Sequence, residues 1–511
     1  MQSLKEFVNC TKKSMSVADT FALRANALAL GMGESARVEG AGFAVAEEIG
    51  RSYGGKKIAV VCGTGGKGSI GLVAARHLLK YCDVLAFLIG DPSKIRNDSA
   101  QFNYSMLNGI VDVEEIGEQS MMRLQAGLKK ADLVVDALIG CGLRGRLSSL
   151  FINTISSMNK FGKDIVSVDI PSGIDADTGL PNVAYVKAHH TYCLHKMKTG
   201  LIKSKFAGSV RVIDIGIPIT AEVLAGPGDV MLATEPRIAD ANKLSHGRVL
   251  IIGGTAFSGG AELAGFGSSN AMAALLTGTG YVTLALPKGP AEIARSKVAA
   301  PIVVDVDWKD VAKCMATLAN VKHDSLVVGP GMVPDEHSKE MMKRILKMET
   351  AAGKRIVVDA GAIRCLAGQK KLLGKNVVIT PHDSEFRALA GVATANRTLT
   401  ERAKNAMKFA KDSGCIVLLK GHETIVTDGN LIKINRAKSS ALATMGTGDV
   451  LSGMLGAYAA LHKNLFESAV AAAYVHSAIG DRLYAERGLH ISAEDVVAAI
   501  PSVLKEFDKV T

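Results

Sequence analysis

The sequence predicts an α/β protein of two domains, each built on a largely parallel sheet. Short unbroken apolar runs alternate with helical stretches, as in strands buried on both faces. The alternation stops at a Gly- and Pro-punctuated stretch after Gly216 and starts again at Arg248. Glycine is the compositional outlier, with 53 of 511 residues against a usual share of roughly 7%. Proline stays low at 13, so the glycines mark particular turns rather than low-complexity filler.

In chain order, Ser16–Gly50 carries apolar residues at helical spacing. Strand-like runs follow at Lys57–Cys62, Val84–Gly90, Leu133–Ile139, Ile165–Ile170 and Val210–Ile215, with a helix over Leu72–Tyr81. The boundary is placed near residue 222, giving domains 1–222 and 223–511, with a polar connector running to His246. The second series has strands at Arg248–Ile252, Tyr281–Ala285, Ser325–Val328, Arg355–Asp359, Asn376–Thr380, Cys415–Lys420 and Thr424–Thr427. Helices are expected at Ser338–Met348, Thr400–Ser413, Asp449–His462 and Phe466–Leu483.

The apolar share of 48% excludes a mainly disordered chain, and the glycine content excludes a coiled coil. A net charge of +11 permits phosphate-bearing partners, but nucleic acid is not expected, because no basic run interleaves with aromatics. The eight cysteines form no CxxC pair and several sit in apolar runs, which suits free thiols in a reducing compartment. No apolar signal segment and no membrane-length apolar run is visible, so the expected location is the cytoplasm, with no membrane partner.

After the first strand comes Gly63-Thr-Gly-Gly-Lys-Gly-Ser-Ile-Gly71, a G-x-G-x-x-G arrangement whose amides would suit a pyrophosphate. It is not a Walker A loop, since no Gly-Lys-Ser/Thr closes it. Asp136 precedes the glycine turn Gly140-Cys-Gly-Leu-Arg-Gly145, and Asp169 opens Asp-Ile-Pro-Ser-Gly-Ile-Asp-Ala-Asp-Thr-Gly179 at a strand end. Either aspartate alone also reads as a turn cap. Three loops at one sheet edge point instead to a binding crevice. With His195-Lys-Met-Lys198 and Asp214-Ile-Gly-Ile-Pro218, these segments resemble the NAD(P)H-hydrate epimerase family over most of residues 15–220.

The resemblance implies a Rossmann-like sheet and Asp169 as the group that handles protons while the hydrate epimers interconvert. It implies substrate contacts at Gly66, Lys67, Gly68, Ser69, Ile70, Gly140, Gly142, Leu143, Arg144, Gly145, Arg146 and Asp169. It also implies a potassium ion held near Asp136 and Ser172. Here the family's Asn-Asn-Gly-Gly-Asp is replaced by Gly66–Ile70, and the Lys67 ammonium is expected to take the cation's place. The alternative is a half reduced to a non-catalytic binding module.

In the second half, Gly446-Thr-Gly448-Asp449 opens a helix. Amides there can hold a transferring phosphoryl group, and an aspartate in the first turn can take a hydroxyl proton. Gly329-Pro-Gly331, His382-Asp-Ser-Glu385 and Lys420-Gly421-His422-Glu423-Thr424 each follow a strand. With the Gly253-Gly254…Ala261 stretch they resemble the ADP/ATP-dependent NAD(P)H-hydrate dehydratases, a ribokinase-like branch, over about 245–505. Asp359-Ala-Gly361-Ala lacks the family's second aspartate.

This resemblance implies Asp449 as catalytic base and a nucleotide, ADP or ATP, on Lys420–Thr424 and Gly446–Gly448, with Mg2+ accompanying it. Ala261, Gly331, His382 and Asp449 would contact the hydrate, and Glu385 the hydrate or the magnesium. Phosphorylation would turn the hydroxyl of the hydrated nicotinamide into a good leaving group. The expected whole is a homo-oligomeric repair enzyme acting on NAD(P)H hydrates. A ribokinase-like small-molecule kinase is the rival enzyme.

Overall fold

The computed structural model describes residues 2–95, 98–142, 145–254 and 269–510. They form two compact units: Lys12–Pro218, and Met1–Thr11 together with Ile219–Thr511. The first eleven residues thus join the C-terminal unit, not the N-terminal domain where the sequence boundary placed them. Leu4 and Phe7 explain this, since both are buried in a core with Val223, Ala403 and Ala406. The stretch taken as a connector is likewise folded: Pro227–Ala233 is helical, and Val230 and Ala233 are buried core residues.

The N-terminal unit has strands β1 (Lys57–Gly63), β2 (Asp83–Ile89), β3 (Val113–Ile116), β4 (Leu133–Ala137), β5 (Ile165–Val168), β6 (His190–Leu194) and β7 (Ser209–Ile213). Their spatial order is β3-β2-β1-β4-β5-β6-β7, and every pair is parallel. All of β1 except Lys57 is buried, as a central parallel strand requires. The strand order reverses between β1 and β4, and ligands of such sheets sit beyond the carboxyl ends at that point.

The C-terminal unit has β8 (Arg248–Ile252), β9 (Tyr281–Leu286), β10 (Ile302–Asp305), β11 (Ser325–Val328), β12 (Arg355–Val358), β13 (Val377–Ile379), β14 (Ile416–Leu419), β15 (Glu423–Thr427) and β16 (Ile432–Arg436). The order is β10-β9-β8-β11-β12-β13-β14-β15-β16, parallel as far as β14 and antiparallel through β15 and β16. Here the reversal falls between β8 and β11. Along β8, Val249 and Ile251 enter the core that holds Val450 and Met454, while Leu250 and Ile252 enter the one that holds Met341 and Ile345. Alternate residues feed opposite faces, so each face needs its own helices.

Four strands of these two sheets escaped the sequence reading. Three of them, β3, β10 and β16, are sheet edges with charged residues such as Glu114, Asp305 and Lys433, so no continuous apolar run marks them. The helix after β1 is the larger correction. It spans Gly66–Leu78 rather than starting near Leu72, so the predicted phosphate loop is its first turn.

At both reversals the turns meet without room for a side chain. A Cβ on Gly63 would lie 2.1 Å from the Leu138 carbonyl oxygen, and one on Gly253 would lie 2.1 Å from that of Pro330. A Cβ on Gly65 meets nothing within 4 Å. Gly63→Ala is therefore expected to destabilise the N-terminal unit by about 2–3 kcal/mol, against about 0.5 kcal/mol or less for Gly65→Ala. Thermal melting of the full-length variants checks the contrast.

Candidate active sites

In the N-terminal unit Asp136, on β4, is a fully buried hub. Its carboxylate accepts from Ser167 Oγ at 2.8 Å, Ser172 N at 2.8 Å, Ser172 Oγ at 2.5 Å and Leu138 N at 3.1 Å. Lys67 Nζ donates to Asp136 Oδ2 at 3.0 Å, to the Ile170 carbonyl at 2.7 Å and to Ser172 Oγ at 3.1 Å. These oxygens come from the end of β4 and from the loop after β5, and they would suit a monovalent cation. The lysine ammonium already lies among them, so they do not fit a separate potassium ion. Complete burial lowers the Lys67 proton affinity, and the Asp136 carboxylate opposes that.

Asp169 follows β5 in a left-handed conformation, φ +66°, which aspartate tolerates better than most residues. Its carboxylate meets Lys198 Nζ at 2.8 Å and accepts from Leu194 N at 3.1 Å and from the Cys141 thiol at 3.2 Å. Burial favours the neutral acid, but Lys198 and the hydrogen bonds outweigh it and hold the carboxyl below its ordinary range. Burial and the Asp169 charge push the Cys141 thiol up to about 12, so it stays a donor. Arg37, nearly buried, adds a positive charge that Asp169 feels.

Lys198, Cys141 and Arg37 had no role in the sequence reading. Two of them stood inside quoted motifs, but only the fold shows that they face Asp169. The helix start changes the setting of several predicted contacts. Ser69 and Ile70 are 0% and 4% exposed within the helix Gly66–Leu78, and Gly68 packs on Gly63. Their side chains are packed within the unit, which leaves the backbone of this first turn as the part able to meet a ligand. Gly140 lies against Lys67, whereas Gly66, Gly142, Gly145 and Arg146 are exposed. Leu143, Arg144 and Ala261 lie outside the described residues.

In the C-terminal unit Asp449 occupies the first turn of the helix Thr447–Leu461, whose N-cap is Gly446 at φ +86°. Helix starts leave backbone amides unbonded and suit anions. Lys420, at the end of β14, projects to this turn: a Cβ on Gly448 would lie 3.7 Å from its Nζ. The same Nζ contacts Asp359 Oδ1 at 3.0 Å and Glu385 Oε2 at 3.9 Å. Burial pushes the Asp449 carboxyl up, the Asp359 charge adds to this, and Lys420 only partly offsets both, leaving it at about 7.

Asp359 is itself positioned by Thr380 Oγ1 at 2.7 Å. The next residue, Ala360, is held at φ +48°, and a Cβ on Gly361 would lie 1.9 Å from the Met332 carbonyl oxygen. This backbone leaves no room for a side chain at 361. His382 is the N-cap of the helix Asp383–Ala390, its Nδ1 accepting from Ser384 N at 3.2 Å, while the Glu385 carboxylate accepts from His382 N at 2.9 Å. Gly331 lies in the turn after β11. Lys420, Gly421, His422, Thr424, Thr447 and Gly448 share one cavity of about 340 Å³. Glu423 is not among its walls and pairs with Arg436 at 2.9 Å.

The eight cysteines are all free, and no described helix is long and apolar enough to cross a membrane.

Residues 249–502 match the family model described as NAD(P)H-hydrate dehydratase, and residues 34–200 match that of the YjeF-related protein N-terminus. The chain is 35% identical to a bifunctional NAD(P)H-hydrate repair enzyme of Pyrobaculum aerophilum, covering 97% of this chain and 98% of that one. It is 33% identical to the enzyme of that description from Archaeoglobus fulgidus, covering 98% of each. Among solved structures, an ADP/ATP-dependent NAD(P)H-hydrate dehydratase from Bacillus subtilis, co-crystallised with ATP and Mg2+, is 24% identical. That match has a TM-score of 0.47 and covers 54% of this chain and 96% of that one.

The Asp449 environment has a stability signature. Its folded pKa of about 7 is raised, so the folded chain keeps a proton that the unfolded chain has lost. Stability contributed by this group therefore falls as pH rises through the window between about 4 and about 7. Asp449→Asn is expected to be more stable than the unaltered chain by about 1–2 kcal/mol at about pH 8, and little different near pH 4. Urea denaturation at the two pH values checks this.

Proposed function

The chain belongs to the bifunctional NAD(P)H-hydrate repair enzymes, and from that membership and the two sites we propose how each half works. The N-terminal unit interconverts the R and S epimers of hydrated NADH and NADPH. The C-terminal unit returns the S epimer to NADH or NADPH with ADP or ATP as phosphoryl donor. A small-molecule kinase would share the Gly446–Asp449 turn but would leave the match over residues 34–200 without a role.

The observation that carries the dehydratase reading is a carboxyl poised near neutrality at a helix start, beside a lysine. Asp449 takes the proton of the hydrate's hydroxyl as that oxygen bonds to the terminal phosphorus of the donor. The bond from that phosphorus to the nucleotide oxygen breaks, with the electron pair going to the nucleotide. The first-turn amides at Gly446–Gly448 and the Lys420 ammonium meet the charge of the transferring group. Phosphate then leaves with the C–O bonding pair, a ring proton is lost, and the nicotinamide double bond is restored. His382 and Gly331 are the remaining candidates to hold the hydrate.

Mg2+ bound to the donor would neutralise phosphate charge. Among the described residues no group of three or more His, Cys, Asp or Glu is arranged to hold a metal, so the phosphates would be its main ligands.

In the N-terminal unit Asp169 accepts and returns the proton. Lys198 keeps it ionised, and Cys141 donates to its second oxygen. Lys67 Nζ takes the place of a bound cation among the oxygens of Asp136, Ile170 and Ser172, so no potassium ion is needed. Free thiols throughout support a cytoplasmic location.

Incubation of S-NADHX with ADP or ATP is expected to restore the reduced-nicotinamide absorbance, and Asp449→Asn is expected to slow this about 10²–10⁴-fold. Because the base must be ionised, the rate is expected to fall roughly tenfold per pH unit below about 7. No recovery by the unaltered chain, or an undiminished rate in the variant, refutes the reading. For the other half, chromatographic conversion of R-NADHX is expected at the same rate in potassium-free buffer as in potassium chloride. Turnover that needs added potassium removes the role given to Lys67, and no turnover removes the activity.

A further inference from the structure

The helix Leu465–Arg487 carries a group that the mechanism above leaves unused. His476 is 9% exposed, and its Nε2 has no hydrogen-bond partner among the described residues. A neutral imidazole keeps one ring nitrogen as an acceptor, and Nε2 has no partner of its own to occupy it. Burial, reinforced by Lys420, pushes the imidazole down to about 4, so the ring is neutral near pH 7.

His476 lines the same cavity of about 340 Å³ that Lys420 and Gly448 border. Leu442, Leu451 and Ala473 supply apolar wall. Its volume lies within the ~300–1,000 Å³ of small-ligand sites. A donor whose phosphates lie on Lys420 and the Gly446–Gly448 turn has this cavity beside it for its sugar and base. A buried acceptor without a partner is unfavourable, and a donor group on a ligand would relieve it.

We propose that the cavity takes the nucleoside end of the phosphoryl donor and that His476 Nε2 accepts a hydrogen bond from it, making His476 a specificity-determining residue for the nucleotide. The donor group is a ribose hydroxyl or a purine amino group. The inference rests on the reading that the C-terminal unit uses ADP or ATP.

Isothermal titration of the full chain with ADP, 2′-deoxy-ADP and N6,N6-dimethyl-ADP tests it, in the unaltered protein, His476→Leu and His476→Gln. One analogue is expected to bind the unaltered chain about tenfold more weakly than ADP. The deoxy analogue identifies the ribose as the source, and the dimethyl analogue identifies the amino group. That preference is expected to vanish in His476→Leu and to return, at least in part, in His476→Gln, whose amide oxygen can accept. A purely structural role would weaken all three nucleotides alike in His476→Leu and keep the preference, which would overturn the proposal. Equal binding of all three by the unaltered chain would overturn it too. If the unaltered chain binds neither ADP nor ATP, the nucleotide-dependent reading itself fails, and the inference falls with it.

Discussion

The contact between two turns at the reversal of each sheet is the constraint on which both sites depend. Gly63 must accept the Leu138 carbonyl, and Gly253 the Pro330 carbonyl, closer than any Cβ allows. Only then can the βα turns at the neighbouring strands converge. In the N-terminal unit that convergence brings Lys67, from the helix after β1, to Asp136 at the end of β4 and to Ser172 beyond β5. The C-terminal unit repeats the arrangement with unrelated residues, Gly253-Gly254 against Gly329–Gly331. A shared topology has therefore selected the same residue type at the same place in two different sequences.

The two sites then use one chemical group in opposite ways. Asp169 has a lysine largely to itself, and its carboxylate is kept ionised despite burial. Asp449 must share Lys420 with Asp359 and Glu385, so burial dominates and its carboxyl titrates near neutrality. Counting carboxylates around each lysine decides the outcome. A permanently charged group suits proton handling next to cationic Arg37 and Lys198. A carboxyl poised near 7 suits a base that takes a hydroxyl proton during phosphoryl transfer.

Buried strands were legible because continuous apolar runs have one physical cause, burial on both faces, and Ser325–Val328 was read to the residue. Both strand-end aspartates and the turn before Asp449 were legible too, since glycine and aspartate at a strand or helix end carry local meaning. The helix start at Gly66 was not. Glycines 66, 68 and 71 look like loop residues in isolation, yet Gly68 and Gly71 are there because Gly63, Ala137 and Cys62 press against them. The N-terminal eleven residues failed for a similar reason: Leu4 and Phe7 are ordinary apolar residues until the core that receives them exists.

What the chain of residues settled unaided was therefore local and repetitive: the βα alternation, the strand-end acids, the glycine turns and the family they resemble. The charge state of each acid was decided only in three dimensions. Lys198 is 29 positions from Asp169, Lys67 is 69 from Asp136, and Asp359 is 61 from Lys420. Electrostatic interaction depends on separation in space and on how much water lies between, and neither is written in the spacing along the chain.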